Sequence, residues 1–484
     1  MGFSKKSVSR RNQHRSWRDY QASLPKRYAR NPRPRLSRCF VLGVLLALSL
    51  VCGLFGFIRS DGEQEGPVAA APEVPTATAP EIPTAPAPKV EGPLDKDQIR
   101  QLLDERMFSH LTEKNLSVPA GGSILHIETT IDPDLQNYLL DTIDRKNSRH
   151  VGIVVMEALS GRVLALAGFD RIDAAGNPCL RSQFPAASIF KIVTAATAID
   201  QCGYSADSPM QFSGSKHTLY KRQLTEKVGR QSTTIPLSEA FADSVNPVFG
   251  KLGELRLGKP LLEQAAIAFG FNQPLDFEVS LPPSHFQISD NPYNWAEVAS
   301  GFNRQTTLSP LHGAALTAAV LNGGRMVTQT IVECISDDQG KILYRRSPTQ
   351  GSRQIMSARA ATALEQMMEN TIASGTARKT FRGHQKDKVL AGLRIGGKTG
   401  SIGSSSQDVR YDWFVGFARE PRGQKQVVVA VMVGHEEFIG IRAGDYARRA
   451  MTHYFAAQAS KAASSAASVA PSPPESGSTS ARAL

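Results

Sequence analysis

The sequence predicts an α/β domain of the α+β kind, built on an antiparallel sheet, behind a single N-terminal transmembrane helix. Three observations carry this expectation. Two apolar runs, VGIVVMEA (151–158) and RVLALAGF (162–169), are separated only by Leu159-Ser160-Gly161, which is a hairpin signature. Three more strand-like runs, LRIGGKTGS, YDWFVGFARE and KQVVVAVMVG, come late in the chain and are joined by polar loops, as in an antiparallel sheet. Cys39 to Ile58 holds no charged residue over a length that spans a bilayer as a helix.

The order of elements begins with charge. The chain has 484 residues, 41% hydrophobic and 21% charged, enough for a sizeable core, and its net charge is +12. Residues 1–38 hold twelve lysines and arginines against one acid, Asp19, so the rest of the chain nets only +1. A folded nucleic-acid-binding surface is therefore disfavoured, because the positive charge is not on the globular part. The basic stretch 1–38 reads instead as a cytoplasmic tail, and 39–58 as an uncleaved signal anchor, since its apolar core is longer than that of a cleaved signal. Everything after the anchor is then extracytoplasmic. Residues 59–92 are rich in Pro and Ala and read as a semi-extended linker that reaches on the order of 100 Å. Residues 93–123 read as a short N-terminal attachment, 124–455 as the main domain, and 456–484 as a low-complexity disordered tail.

Within the main domain, ILHIETTI (124–131) reads as a strand. Asp132-Pro133 then caps and opens a helix to about Arg145. SIFKIVTAATAI (188–199) is apolar nearly all round and reads as a buried central helix. A helix over about 237–243 ends in a turn at Ser244-Val245-Asn246-Pro247. Further helices are expected at 262–269, at 313–321 and, terminally, at 441–455. Trp413 and Phe414 are expected in the core. Cys179 and Cys202 bracket the central helix, and in an oxidising compartment they are expected to pair as a disulfide.

Three short motifs carry chemistry: Ser188-Ile189-Phe190-Lys191, Ser244-Val245-Asn246 and Lys398-Thr399-Gly400. Ser-x-x-Lys also occurs at Ser23–Lys26 and Ser213–Lys216, and Ser-x-Asn at Ser289–Asn291, but only Ser188 opens a buried helix with Lys191 on the same face. A serine hydroxyl needs a base, and a lysine serves as one only when burial or a second cation lowers its pKa. The apolar helix supplies the burial and Lys398 the second charge. Ser244 offers a proton-relay hydroxyl and Asn246 an amide. Lys398, Thr399, Gly400 and Ser401, on an edge strand, are expected to bind a substrate carboxylate and to align a peptide. The backbone N–H groups of Ser188 and Ser401 are expected to form an oxyanion hole.

Two other chemistries fit less well. Gly392 to Thr399 formally matches a P-loop, but a strand rather than a helix is expected next. The histidines show no metal-ligand spacing, so no metal and no cofactor are expected.

The runs FPAASIFKIVTAATAI, LSEAFADSVNPVF and IGGKTGS, with the later WFVGFA, closely resemble the transpeptidase domain of penicillin-binding proteins. Further similarity lies in TTIDPDLQ (129–136), in SGFNRQTTLSPLHGAALTAAVLNGG (300–324) and in SGTA (374–377), so that the match covers roughly 124–455. The resemblance implies a five-stranded antiparallel sheet flanked by helices, with an all-helical subdomain. It also implies a serine acyl-enzyme formed from D-alanyl-D-alanine stem peptides of peptidoglycan and inhibited by β-lactams, with Ser188 as nucleophile and Lys191 as base. Cell-wall synthesis or division proteins are expected partners on the same analogy. The sequence departs from the family pattern in three ways. No glycosyltransferase region precedes the domain, only 93–123 occupies the place of a long pedestal, and Ser401 stands where threonine is common. A D,D-carboxypeptidase, a serine β-lactamase or β-lactam sensor, and a non-catalytic cell-wall-binding scaffold remain as alternatives. Neither a Glu-x-x-Leu-Asn nor a Tyr-Gly-Asn motif is present to support the β-lactamase reading.

Overall fold

The computed structural model describes residues 92–469 apart from 110, 227–231, 348–350, 404–408 and 424. The basic stretch, the anchor, the linker before residue 92 and the tail beyond 469 lie outside the described residues. Among the described residues no helix is long and apolar enough to cross a membrane.

Strands β1 (Asn115–Ala120) and β2 (Ser123–Thr129) form a hairpin. After helix α1, Pro133–Asp141, come β3 (Ser148–Glu157) and β4 (Val163–Asp170). Asp132 caps α1 by accepting from Leu135 N–H, and Pro133 opens it. The helix stops at Asp141 rather than near Arg145, where the chain turns to enter β3. Strands β5 (Val332–Ser336) and β6 (Ile342–Arg345) extend the hairpin into a four-stranded sheet ordered β1-β2-β5-β6. Strands β7 (Arg394–Gly403), β8 (Arg410–Arg419) and β9 (Gln426–His435) join β3 and β4 in the central sheet. That sheet has the order β7-β8-β9-β3-β4, antiparallel throughout. The late strands thus pair with the early hairpin, and β7 is left at the edge.

The central strands are apolar along their whole length because both faces of the sheet are covered. With period-two alternation, Trp413, Val415 and Phe417 of β8 face one core, while Phe414 and Ala418 face the other. The first core holds the helices that carry the site: α2 (Lys191–Cys202), α3 (Leu237–Ala242), α4 (Asn246–Lys251), α5 (Pro292–Ser300) and α6 (Pro310–Leu321), which is buried on all sides up to Val320. Helix α7 (Ala358–Ala373) packs along β7. The second core lies between the sheet, α1 and the terminal helix α8 (Ala443–Val469).

The stretch 93–123 is fastened to the domain through Leu94, Ile99, Leu103, Phe108 and Val118, which lie in the same core as α2. Two expectations are corrected. Helix α8 runs past 455 to Val469, because the alanine-rich stretch taken as disordered has high intrinsic helix propensity. Cys179 and Cys202 are both free thiols. Cys179 is fully buried under the sheet, within 3.5 Å of the Ile153 and Ala167 carbonyls, while Cys202 ends α2 beside the Arg256 carbonyl. Burial raises the pKa of Cys179, so this thiol is an inert core group.

Candidate active site

Ser188 sits not in the first turn of an α-helix but on a 3-10 turn, Ala187–Phe190, which runs directly into α2. Phe184-Pro185 pairs with Thr307-Leu308, and Trp413 on β8 donates from Nε1 to the Pro185 carbonyl at 2.9 Å. The sheet therefore fixes the strand that delivers Ser188. Ala187, one residue before the serine, has a left-handed φ of 49°. Such a conformation costs a non-glycine residue roughly 1–2 kcal/mol, and the surrounding structure must hold it.

The spacing of Ser-x-x-Lys places Lys191 Nζ 2.8 Å from Ser188 Oγ. Lys191 Nζ also donates to Asn246 Oδ1 at 2.7 Å and to the Ser300 carbonyl at 2.6 Å. The amide of Asn246 is oriented by its own Nδ2, which donates to the His217 carbonyl at 3.1 Å. Lys191 is fully buried and lies over the Phe249 ring. Burial first, and the nearby charge of Lys398 second, hold its pKa well below the ordinary lysine value. The geometry suits a neutral amine. Asn246 Oδ1 and the Ser300 carbonyl accept its two N–H bonds, and the lone pair is left for the Ser188 hydroxyl.

Ser244 lies between α3 and α4 with φ 56°, a left-handed turn that brings its Oγ within 3.0 Å of Lys398 Nζ. That turn is backed by Gly375 and Thr376, whose N–H groups follow α7. A Cβ on Gly375 would stand 2.4 Å from the Ala242 carbonyl oxygen, and Thr376 N–H donates to that oxygen at 3.1 Å. Lys398, on β7, is fully buried over the Phe241 ring and donates to the Thr399 carbonyl at 2.8 Å. Burial lowers its pKa to about 7, with Asp243 opposing. Folding thus works against the charged form of Lys398, and the cost is fully present below pH 7 and relieved as pH rises toward 10.5. The Tm of the wild type relative to Lys398→Met is therefore expected to rise between pH 7 and 10. A difference that stays flat across that range would contradict the burial argument.

The structure brings the predicted residues together as two hydrogen-bonded groups, Ser188–Lys191–Asn246 and Ser244–Lys398–Thr399, whose two lysines lie near enough for the charge of Lys398 to act on Lys191. Gly400 is buried where a Cβ would press on Ala187 and Ile189, at 3.3 Å from each, so its missing side chain lets β7 lie against the serine turn. Ser401 is exposed on β7, and its Oγ accepts from Arg410 Nε at 3.0 Å. The edge position of β7 agrees with the expectation, and the strand at 394–403 excludes the P-loop.

Four contributors were not legible as such. The Ser300 carbonyl and Gly301 lie inside the SGFNRQTTL run, where the helix-ending glycine was the available signal. Thr376, within SGTA, shares a hydrogen bond with Thr399 Oγ1 at 2.6 Å. His217 has its pKa lowered, by desolvation first and then by the charges of Lys191 and Lys398, and its carbonyl orients Asn246.

Fold and site together define a class: a helix-flanked antiparallel sheet that sets a serine hydroxyl against a desolvated lysine at the head of a buried helix. Such a pair is equipped for acyl transfer. The penicillin binding protein transpeptidase domain matches residues 151–455, and the chain belongs to that family.

Among relatives, peptidoglycan D,D-transpeptidase PbpA of Mycobacterium tuberculosis (strain H37Rv) is 25% identical over 441 residues, covering 81% of this chain and 82% of that protein. Stage V sporulation protein D of Bacillus subtilis is 26% identical, covering 64% of this chain and 49% of that protein. Among solved structures, the D,D-transpeptidase domain of a peptidoglycan glycosyltransferase from Eggerthella lenta superposes with a TM-score of 0.56 at 22% identity, covering 69% of this chain and 83% of that one. Penicillin-binding protein A from M. tuberculosis, as its imipenem acyl-enzyme complex, superposes with 0.55 at 21% identity, covering 68% and 79%.

Proposed function

We propose that the protein is a peptidoglycan D,D-transpeptidase that cross-links stem peptides through a Ser188 acyl-enzyme and is inhibited by β-lactams. The observation that carries this reading is the 2.8 Å approach of Lys191 Nζ to Ser188 Oγ with both remaining N–H bonds of the amine occupied. In the acylation step, Ser188 Oγ attacks the carbonyl of the penultimate D-alanine while its proton passes to Lys191. The peptide C–N bond breaks, and the departing amine of D-alanine takes up a proton relayed through Ser244 Oγ. An acceptor amine from a second strand then attacks the ester and releases Ser188. The backbone N–H groups of Ser188 and Ser401 stabilise the oxyanion in both steps. Lys398, Thr399 and Ser401 bind the substrate carboxylate, and Asn246 holds the Lys191 amine and the substrate amide. Sequence similarity to PbpA over most of both chains supports the same assignment.

The reading extends to topology: residues 39–58 anchor the chain in the inner membrane and the catalytic domain works in the periplasm. The linker gives it reach, and cell-wall synthesis or division proteins meet it at the anchor. A membrane-impermeant fluorescent penicillin applied to intact spheroplasts is expected to label the full-length protein stably, and Ser188→Ala is expected to remove the label. Label that appears only after lysis would overturn the topology. Equal label on Ser188→Ala would overturn the assignment of the nucleophile, and rapid release of label would redirect the reading to a β-lactamase.

A further inference from the structure

Two residues past Thr376, the chain forms a second, basic cavity. It has a volume of about 440 Å³ and is walled by Arg378, Lys379, Arg382 and His384, with Phe381 and the last turn of α7 beneath. No acidic side chain lines it. Five lysines and arginines fall within 378–388 against Asp387 alone, in a chain that nets only +1 after residue 38. Asp387 is also turned elsewhere. Its Oδ1 accepts from the N–H groups of Val389 and Leu390, at 2.9 and 3.2 Å, and its other oxygen faces Arg448 at 3.7 Å. Among the described residues, Arg378, Lys379 and Arg382 form no ion pair with a carboxylate.

A run of surface cations is most often just solvated, and solution screens it over about 8 Å. Here the backbone under the cations is held. Phe381 is buried and stacks on Phe414 of the sheet at 5.5 Å, while Arg448 of α8 donates to the carbonyls of Thr380 and Arg382 at 2.9 and 3.1 Å. Gly383 turns the chain with φ 77°. The cationic side chains are therefore presented from a fixed turn around one cavity, so that less ordering remains to be done when an anion binds. Their mutual repulsion falls only when negative charge arrives.

We propose that this cavity is a second binding site for carboxylate-bearing stem peptides of the glycan strand being cross-linked. The inference rests on the proposed transpeptidase reading. Stem peptides carry free carboxylates away from the reacting bond, and the cavity wall starts at Arg378, two residues along the chain from the Thr376 that meets Thr399 of the site. Guanidinium groups suit carboxylates through paired N–H donors, so Arg378 and Arg382 are the principal contacts and Lys379 adds charge.

The test uses full-length protein in neutral detergent and soluble, un-cross-linked glycan strands bearing pentapeptides. In the variant Arg378→Gln/Lys379→Gln/Arg382→Gln, strand affinity is expected to fall about ten-fold at moderate salt, with a weaker salt dependence. The rate of acylation by penicillin should not change, which also reports that the variant is folded. Unchanged strand affinity with intact acylation would overturn the proposal. It would equally be overturned if inorganic polyphosphate, or vesicles containing phosphatidylglycerol, lost binding in the variant while strands did not, because the site would then be one for phosphate. Absence of acylation in the wild type would refute the transpeptidase reading itself, and the strand measurement keeps that failure separate.

Discussion

Replacing Lys191 by methionine is expected to slow acylation by penicillin about 10²–10⁴-fold, the span typical of losing a positioned general base. The side chain volume is nearly kept and the apolar surroundings of α2 accept a thioether, so packing is not the cause. What disappears is the lone pair opposite Ser188 Oγ, together with the donors to Asn246 Oδ1 and the Ser300 carbonyl. Those two acceptors would be left without their partner in a buried place, at about 1–3 kcal/mol for an unsatisfied group. A modest loss of stability is therefore expected beside the large loss of rate. Rapid-quench acylation with intact-mass detection reads the rate. A loss smaller than ten-fold would mean that another group takes the Ser188 proton.

The second large effect is expected at Gly301, which ends helix α5 with φ 67°. A Cβ built there would lie 1.9 Å from the Ala187 carbonyl oxygen, 2.4 Å from its carbon and 2.9 Å from Ser188 N. All three are backbone atoms and no rotamer change relieves them. Gly301→Ala must therefore push the left-handed Ala187 and the serine turn away, and in doing so it also moves the Ser300 carbonyl that holds Lys191. Acylation is expected to fall on the order of 10²-fold, because displacements near 1 Å suffice for that at a reacting centre. Gly323 provides the control. It has φ 61° but open space around its Cβ, so Gly323→Ala is expected to lose about 1 kcal/mol of stability and to acylate normally. Normal acylation by Gly301→Ala would show that the serine turn tolerates the displacement.

These two positions also mark how far the sequence could be read. Ser188 and Lys191 are three residues apart, and helical geometry makes that spacing a statement about space, so the pair was legible. The hairpin β3–β4 and the strands β7–β9 were legible for a similar reason: alternating faces, both buried, leave long apolar runs. The Ser300 carbonyl meets Lys191 across 109 positions of chain and does so through its backbone, which no residue type announces. Thr376 reaches Thr399 only because α7 lies along the edge strand. Strands β5 and β6 escaped because they are short and mix polar with apolar residues, and their pairing with β2 is a tertiary matter. The cysteines misled in the opposite direction. They bracket one helix in sequence, but Cys179 is committed to carbonyls under the sheet and Cys202 lies at the far end of α2.

Strand β7 closes one side of the central sheet, and an edge strand is a place where two copies of a protein can stick together. Helix α7 packs along this strand, with a Cβ at Gly396 meeting the Glu369 backbone at 3.1 Å, and Arg394 at the strand's start pairs with Glu365 and Glu369. At the far end, Arg304 Nε donates to the Gly403 carbonyl at 2.6 Å. The bare stretch is thereby trimmed to a few residues flanked by charge, too short to seed a growing stack of sheets. An edge limited in this way leaves room for one short strand to pair with it and refuses a long one.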